Sequence, residues 1–215
     1  MSPTPNTDIA IRSLQGAFWD DGFVLPPDPP DGAAGGKGRV FFALCPPLPI
    51  AQSLNGFARR VEAGRGLRSK LVKTECLHVS LIAGGNYDEL PGEMIAAFAD
   101  AASTVEMPAF HIAFDRLMSF KGKPSRPLVL VGDDGVSGIR MLREKLMLAL
   151  HRGGFVSRGQ REFTPHLTLA YDERDLGTRS VEPIGWIARD FVLIHSRYGQ
   201  GRHDVLGRWP LRSSD

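Results

Sequence analysis

Histidine, an apolar residue, a hydroxyl residue and a second apolar residue follow one another twice in this chain, as His78-Val79-Ser80-Leu81 and as His166-Leu167-Thr168-Leu169. Side chains along an extended strand alternate between faces, so residues two apart share one. Each tetrapeptide therefore presents an imidazole and a hydroxyl on one side. It turns Val79 and Leu81, or Leu167 and Leu169, toward a core. Imidazole titrates near neutral pH, so one ring of a pair can take a proton while the other, already charged, gives one. Hydroxyl groups can hydrogen-bond oxygens on which charge develops. Two such strands side by side predict an acid–base site made of His78, Ser80, His166 and Thr168, with no metal. No nucleophile–base–orienter triad is evident. A proton acceptor and a proton donor on opposite sides of one centre suit in-line attack on a phosphodiester better than attack on a peptide.

The elements that must position these residues read as a repeat. Residues 39–44 (RVFFAL) are an apolar run of strand length, and residues 127–131 (PLVLV) match it. A helix follows each run. The first carries Ile50, Leu54, Phe57 and Val61 on one face and closes at Gly64 and Gly66; the second carries Ile139, Leu142, Leu146 and Leu150 and stops at Gly153-Gly154. Leu71-Val72 and Phe155-Val156 then lead toward the histidine strands. Arg39 precedes His78 by 39 residues and Arg126 precedes His166 by 40, so each histidine holds the same place in its unit. Duplication about a pseudo-two-fold axis brings both to that axis. Each half ends in more strand: Phe110, Ile112 and Phe114 alternate with polar or small residues after a helix around Met94, Ile95, Phe98 and Ala102. In the second half, residues 190–195 and 203–211 form a hairpin through Tyr198-Gly199-Gln200-Gly201, with Pro210 marking an edge strand. The expected fold class is α+β: a bilobal, duplicated arrangement of two mainly antiparallel sheets with helices outside and a central cleft.

Composition narrows the setting. The 215 residues are 42% hydrophobic and 23% charged, ordinary for one globular body, and a net charge of +2 offers no bulk attraction to nucleic acid. Two cysteines, Cys45 and Cys76, suit a reducing compartment and small buried side chains rather than a disulfide framework. No apolar run is long enough to span a bilayer, and residues 1–20 lack a secretory signal. A cytoplasmic protein without a membrane partner is expected. Residues 26–38 are mostly Pro and Gly, so residues 1–38 read as a flexible leader and residues 39–211 as one interleaved bilobal domain.

The two His-x-Ser/Thr-x motifs, RVFFAL at 39–44, the segment 165–170 (PHLTLA) and the tail 201–211 (GRHDVLGRWPL) resemble the 2H phosphoesterase superfamily. Within it they are most similar to bacterial RNA 2′,3′-cyclic phosphodiesterases, long labelled 2′-5′ RNA ligases. The resemblance covers about residues 39–211. It implies a site in the cleft between lobes, neither metal nor cofactor, and opening of a 2′,3′-cyclic phosphate at an RNA end to leave a 2′-phosphate. Carried over by position, His166 activates water and His78 protonates the departing 3′ oxygen, although pseudo-symmetry leaves the reverse open. Two positions depart from the family. Tyr171 stands where relatives often place a phosphate-contacting arginine, and His203 where the tail usually has tyrosine. Charge at the phosphate is then expected from Arg174, Arg161 or Arg202.

Phe42 and Tyr171 are candidates to stack on a base. Lys70, Lys73, Arg65 and Arg68 lead into the first motif, and Arg152, Arg158 and Arg161 precede the second; together they can draw a phosphate backbone, though each alone reads as a solvated charge. Lys121 and Lys123 lie in the loop between the halves, which ends at Arg126. His111, His151 and His195 read as structural. A zinc site needs three or four ligands at short spacing, and neither motif supplies a second one. Residues 35–38 (GGKG) lack the spacing of a phosphate-binding loop. The expected partners are RNA ends or small nucleotides carrying a cyclic phosphate, met by a monomer. The competing readings are an RNA- or nucleotide-binding module with little turnover, kept open by Tyr171, and a small cyclic-nucleotide or ADP-ribose cyclic phosphate phosphodiesterase.

Overall fold

A computed structural model describes residues 38–64, 69–121, 125–155 and 163–212. Nearly all of the expected leader, residues 1–37, lies outside them. The first repeat runs β1 (Gly38–Leu44), α1 (Leu48–Ala63), β2 (Lys70–Leu71), a 3-10 turn (Thr74–Cys76), β3 (Val79–Tyr87), α2 (Gly92–Ser103) and β4 (Phe110–Ser119). The second runs β5 (Arg126–Val131), a 3-10 turn (Asp134–Val136), α3 (Ser137–Arg152), β6 (His166–Asp172), β7 (Thr178–Ala188), β8 (Asp190–Arg197) and β9 (Arg202–Pro210).

The strands lie in the order β7-β4-β5-β6-β3-β1-β8-β9, with β2 paired to β6 and every pairing antiparallel. The order has a mirror at its centre, where β6 meets β3. Outward from it, β5 answers β1 and β4 answers β8. Yet β4 belongs to the first repeat and pairs with β5 of the second, while β8 of the second pairs with β1 of the first. Each lobe is therefore built from both repeats. The two sheets expected from sequence are joined at the centre by one register pair, Val79 opposite Leu167.

The three helices of the described residues all pack on one face of the sheet, for the reason their periodicity indicates. Leu54 of α1, Phe98 of α2, and Ile139, Leu142 and Leu146 of α3 are fully buried against Phe42, Phe114, Leu130 and Phe191 from the strands. Gly154, at φ 88°, takes the left-handed conformation that ends α3 without a Cβ penalty. β1 is apolar on both faces because both are covered. Val40, Phe42 and Leu44 join the main core, while Phe41 and Ala43 meet Val192 and Ile194 in a second cluster on the opposite side. β9 is an edge strand, as Pro210 indicates. The other edge, β7, escapes a reading of the sequence because Pro183 and Gly185 interrupt its pattern; proline is tolerated at an edge. Gly185 allows close approach, since a Cβ there would collide with the Ile112 carbonyl oxygen. No helix among the described residues is long and apolar enough to cross a membrane.

Phe42→Ala is expected to cost about 3–5 kcal/mol, since it empties a site between Phe98, Phe191 and Trp209. Urea denaturation measures the loss, and a change below about 1 kcal/mol would contradict this placement of the core.

Candidate active site

The Val79–Leu167 pair sets the register of the site. In an antiparallel ladder extended one residue each way, His78 stands across from Thr168 and Ser80 across from His166. All four are half-buried, whereas Val79, Leu81, Leu167 and Leu169 are buried, so the alternation read from sequence holds in both strands. The two imidazoles occupy one diagonal of the resulting rectangle and the two hydroxyls the other. Diagonal neighbours on such a face sit about 7–8 Å apart.

Both rings are held in the same way. His78 Nδ1 lies 2.8 Å from the Cys76 carbonyl oxygen and His166 Nδ1 lies 2.8 Å from that of Thr164, each two residues back along the chain. A carbonyl only accepts, so Nδ1 carries the proton in both rings and Nε2 is the nitrogen left to react. The Ser80 hydroxyl lies 3.1 Å from His78 Nε2; it donates to the neutral ring and accepts from the charged one. Phe120 stands edge-on to His166 at 4.9 Å between ring centroids, and Phe41 lies 4.8 Å from His78. Burial lowers the proton affinity of His166, against the opposing pull of the Thr164 carbonyl. At neutral pH that ring is poised as an acceptor.

The lobe that carries His78 is strongly curled. β9 is three strands from β3, which in a flat sheet is about 14 Å, yet the His203 ring is 5.0 Å from that of His78. The β8–β9 turn folds back over the first 3-10 turn. There the Cys76 thiol donates to the Gly201 carbonyl at 3.4 Å, with Gly201 itself left-handed at φ 53°. The curl encloses Phe41, Ala43, Val192 and Ile194. Burial pushes the Cys45 thiol beside them up to about 11, which keeps it protonated and inert. Burial likewise pushes His203 down to about 4, against the adjacent Asp204 carboxylate.

The further candidates divide. Tyr171 lies on the cleft face because of a register shift in the β5–β6 ladder between Leu128 and Val129. Thr168 pairs with Val129 and Ala170 with Leu128, so Leu169 is the extra residue and Tyr171, across from Pro127, regains the face of His166. Simple alternation would have buried it. Lys70 lies directly across from Tyr171 on the other side and so shares that face. Phe42 is a correction: it is fully buried in the core and offers no ring to a base, whereas Phe41, one residue earlier, faces the site. Arg174 donates to Asp172 from both its backbone N–H and its guanidinium, at 2.8 and 3.5 Å. Arg202 is likewise paired with a carboxylate. It is bonded to Asp204 at 2.6 Å, on the opposite face of β9 from His203. Arg161 lies outside the described residues, as do Arg65, Arg68 and Arg158. Among the described residues, no three His, Cys, Asp or Glu side chains are grouped as metal ligands. Phe41, Phe120 and His203 were missed as site residues. The sequence marks His203 only as a tail position that departs from the family, and nothing local marks Phe41 or Phe120; the fold brings all three in.

The model of the 2′-5′ RNA ligase superfamily matches residues 46–186. The structure superposes on E. coli LigT in its apo form with a TM-score of 0.66 at 23% identity, covering 83% of this chain and 99% of that one. E. coli LigT complexed with 3′-AMP gives 0.63 at 23% identity over 81% and 98%. TT0787 of Thermus thermophilus gives 0.63 at 18% identity over 82% and 100%. These likenesses concern the fold. No curated protein matches the chain significantly by sequence.

The depressed His203 has a consequence for stability. Its folded value of about 4 lies below the ordinary 6.5, so between these the unfolded chain binds the extra proton more readily. The contribution is complete above about pH 6.5 and disappears as pH falls through 4, amounting to at most roughly 3 kcal/mol. Urea unfolding at pH 7 and pH 4 should show wild type losing more stability on acidification than His203→Phe, by about 1–3 kcal/mol; equal losses would contradict the burial of this ring.

Proposed function

The chain belongs to the 2′-5′ RNA ligase superfamily, and from that membership and the geometry of its cleft we propose that it is a metal-independent phosphodiesterase opening 2′,3′-cyclic phosphate ends of RNA to 2′-phosphates. The observation that carries the reading is the pair of Nε2 atoms presented by matching strands, each ring locked by a backbone carbonyl on Nδ1. Burial leaves His166 uncharged, which suits it to take a proton from water. The water oxygen bonds to phosphorus as the bond to the 3′ oxygen breaks, and the proton on His78 Nε2 goes to that oxygen. The products are a 2′-phosphomonoester and a free 3′ hydroxyl; the histidines regain their starting states through solvent. Ser80 and Thr168, on the other diagonal, hydrogen-bond the non-bridging oxygens as charge builds.

Tyr171 and Lys70 lie side by side on the same face. They suit a nucleotide that offers an aromatic base next to a negative charge. E. coli LigT has been solved with 3′-AMP and with phosphate, ligands that carry the groups this reading requires. RNA ends are accordingly the proposed substrate class.

An oligonucleotide ending in a 2′,3′-cyclic phosphate, incubated with the protein in EDTA, should yield the 2′-phosphate. His78→Ala and His166→Ala should each lower kcat by roughly 10²–10⁴-fold. An absolute requirement for divalent metal, or an unchanged rate in either variant, would reject the two-histidine mechanism. Saturable binding with no product would favour a binding module, and turnover of cyclic mononucleotides but not oligomers would move the substrate class to small nucleotides.

A further inference from the structure

His203 reaches the cleft from the far edge of the sheet and comes to rest against His78. The two ring planes are inclined at 69°, with centroids 5.0 Å apart, and His203 also stands edge-on to Phe41 at 5.6 Å. With Phe41 at 4.8 Å from His78, the three rings close a triangle. The connection continues through the backbone. Two residues before His203, the Gly201 carbonyl accepts from the Cys76 thiol, and the Cys76 carbonyl accepts from His78 Nδ1. One residue thus ties the β8–β9 turn to the His78 ring, and that turn carries His203.

We propose that His203 is a positioning residue for His78: its ring, set against the imidazole, fixes the plane in which His78 delivers its proton. This inference rests on the reading of His78 as proton donor. A ring wall alone could be apolar, and burying a polar imidazole is costly. What distinguishes this wall is its charge state. Asp204 is the charged neighbour that acts on His203, but it faces the other side of β9, held by Arg197 at 3.2 Å and Arg202 at 2.6 Å. Lys73 and Glu75 belong to the segment beneath the turn, Lys73 lying against Gly201 and Glu75 exposed. Across β1, Arg39 is directed at Asn86, and farther along the cleft face Arg208 is paired with Asp190 at 2.5 Å. Burial prevails over Asp204, and His203 stays uncharged where His78 carries its proton. A second positive ring at 5.0 Å would oppose that proton.

Three variants test the proposal: His203→Ala, His203→Phe and His203→Arg. The readouts are kcat and KM on a 2′,3′-cyclic nucleotide, and the NMR titration of His78, identified by its loss in His78→Asn. His203→Ala should lower kcat by about ten- to a hundredfold with KM changed less than about threefold. His203→Phe, which keeps a ring of similar size, should recover most of that loss and guards against misfolding as the cause. His203→Arg should lower the His78 titration midpoint by about one pH unit, and shift the matching limb of the kcat profile with it. An unchanged kcat in His203→Ala, an unmoved His78 midpoint in His203→Arg, or a loss confined to KM would each overturn it. A wild-type protein inert toward cyclic phosphates would reject the proposed function, and the His78 titration would then decide the present inference by itself.

Discussion

One antiparallel contact, Val79 against Leu167, holds the site together. Both side chains are fully buried, so the pair is anchored from the core side and cannot slip. Strand faces alternate with a period of two, and a slip of one residue in either strand would send its histidine and hydroxyl into the core and its two apolar residues into the cleft. The cost of such a slip is what makes the site precise. Because the pairing is antiparallel, it also places like groups on diagonals, a histidine at two corners and a hydroxyl at the others. A parallel pairing of the same two motifs would have set the histidines directly side by side.

The exchange of strands between repeats reinforces that contact. β4 and β8 each leave their own repeat to extend the other's sheet, so the lobes close around the centre only when both repeats are folded. The helices all lie behind the sheet, which leaves its other face to the cleft. Curling then does different work in the two lobes. Around His78 it encloses an apolar cluster and brings in Phe41 and His203; His166 meets Phe120. Two motifs that are near copies thereby acquire unequal surroundings, and at His166 burial rather than residue type lowers the proton affinity.

The sequence made much of this legible. The apolar runs at 39–44 and 127–131 became β1 and β5, and the helical stripes of Leu54 and Leu146 pack where their spacing places them. Alternation gives no guidance at three positions. β1 is apolar on both faces, so only the cover on each side distinguishes Phe41 from Phe42. Tyr171 owes its face to one extra residue in the β6 ladder, which no pattern in the motif announces. The charge of Arg202 makes it a candidate from sequence, and Asp204, two residues on, pairs with it.

The sequence by itself determined which polar groups the two motifs carry and their sidedness. Residue type and a period of two are local properties, and His78, Ser80, His166 and Thr168 needed nothing more. Only the tertiary structure decided which neighbours those groups have. Strand register, a single bulge and the curl of a sheet depend on contacts between residues far apart in the chain, and it is these contacts that brought Phe41, Phe120, Lys70 and His203 to the cleft and kept Phe42 out of it.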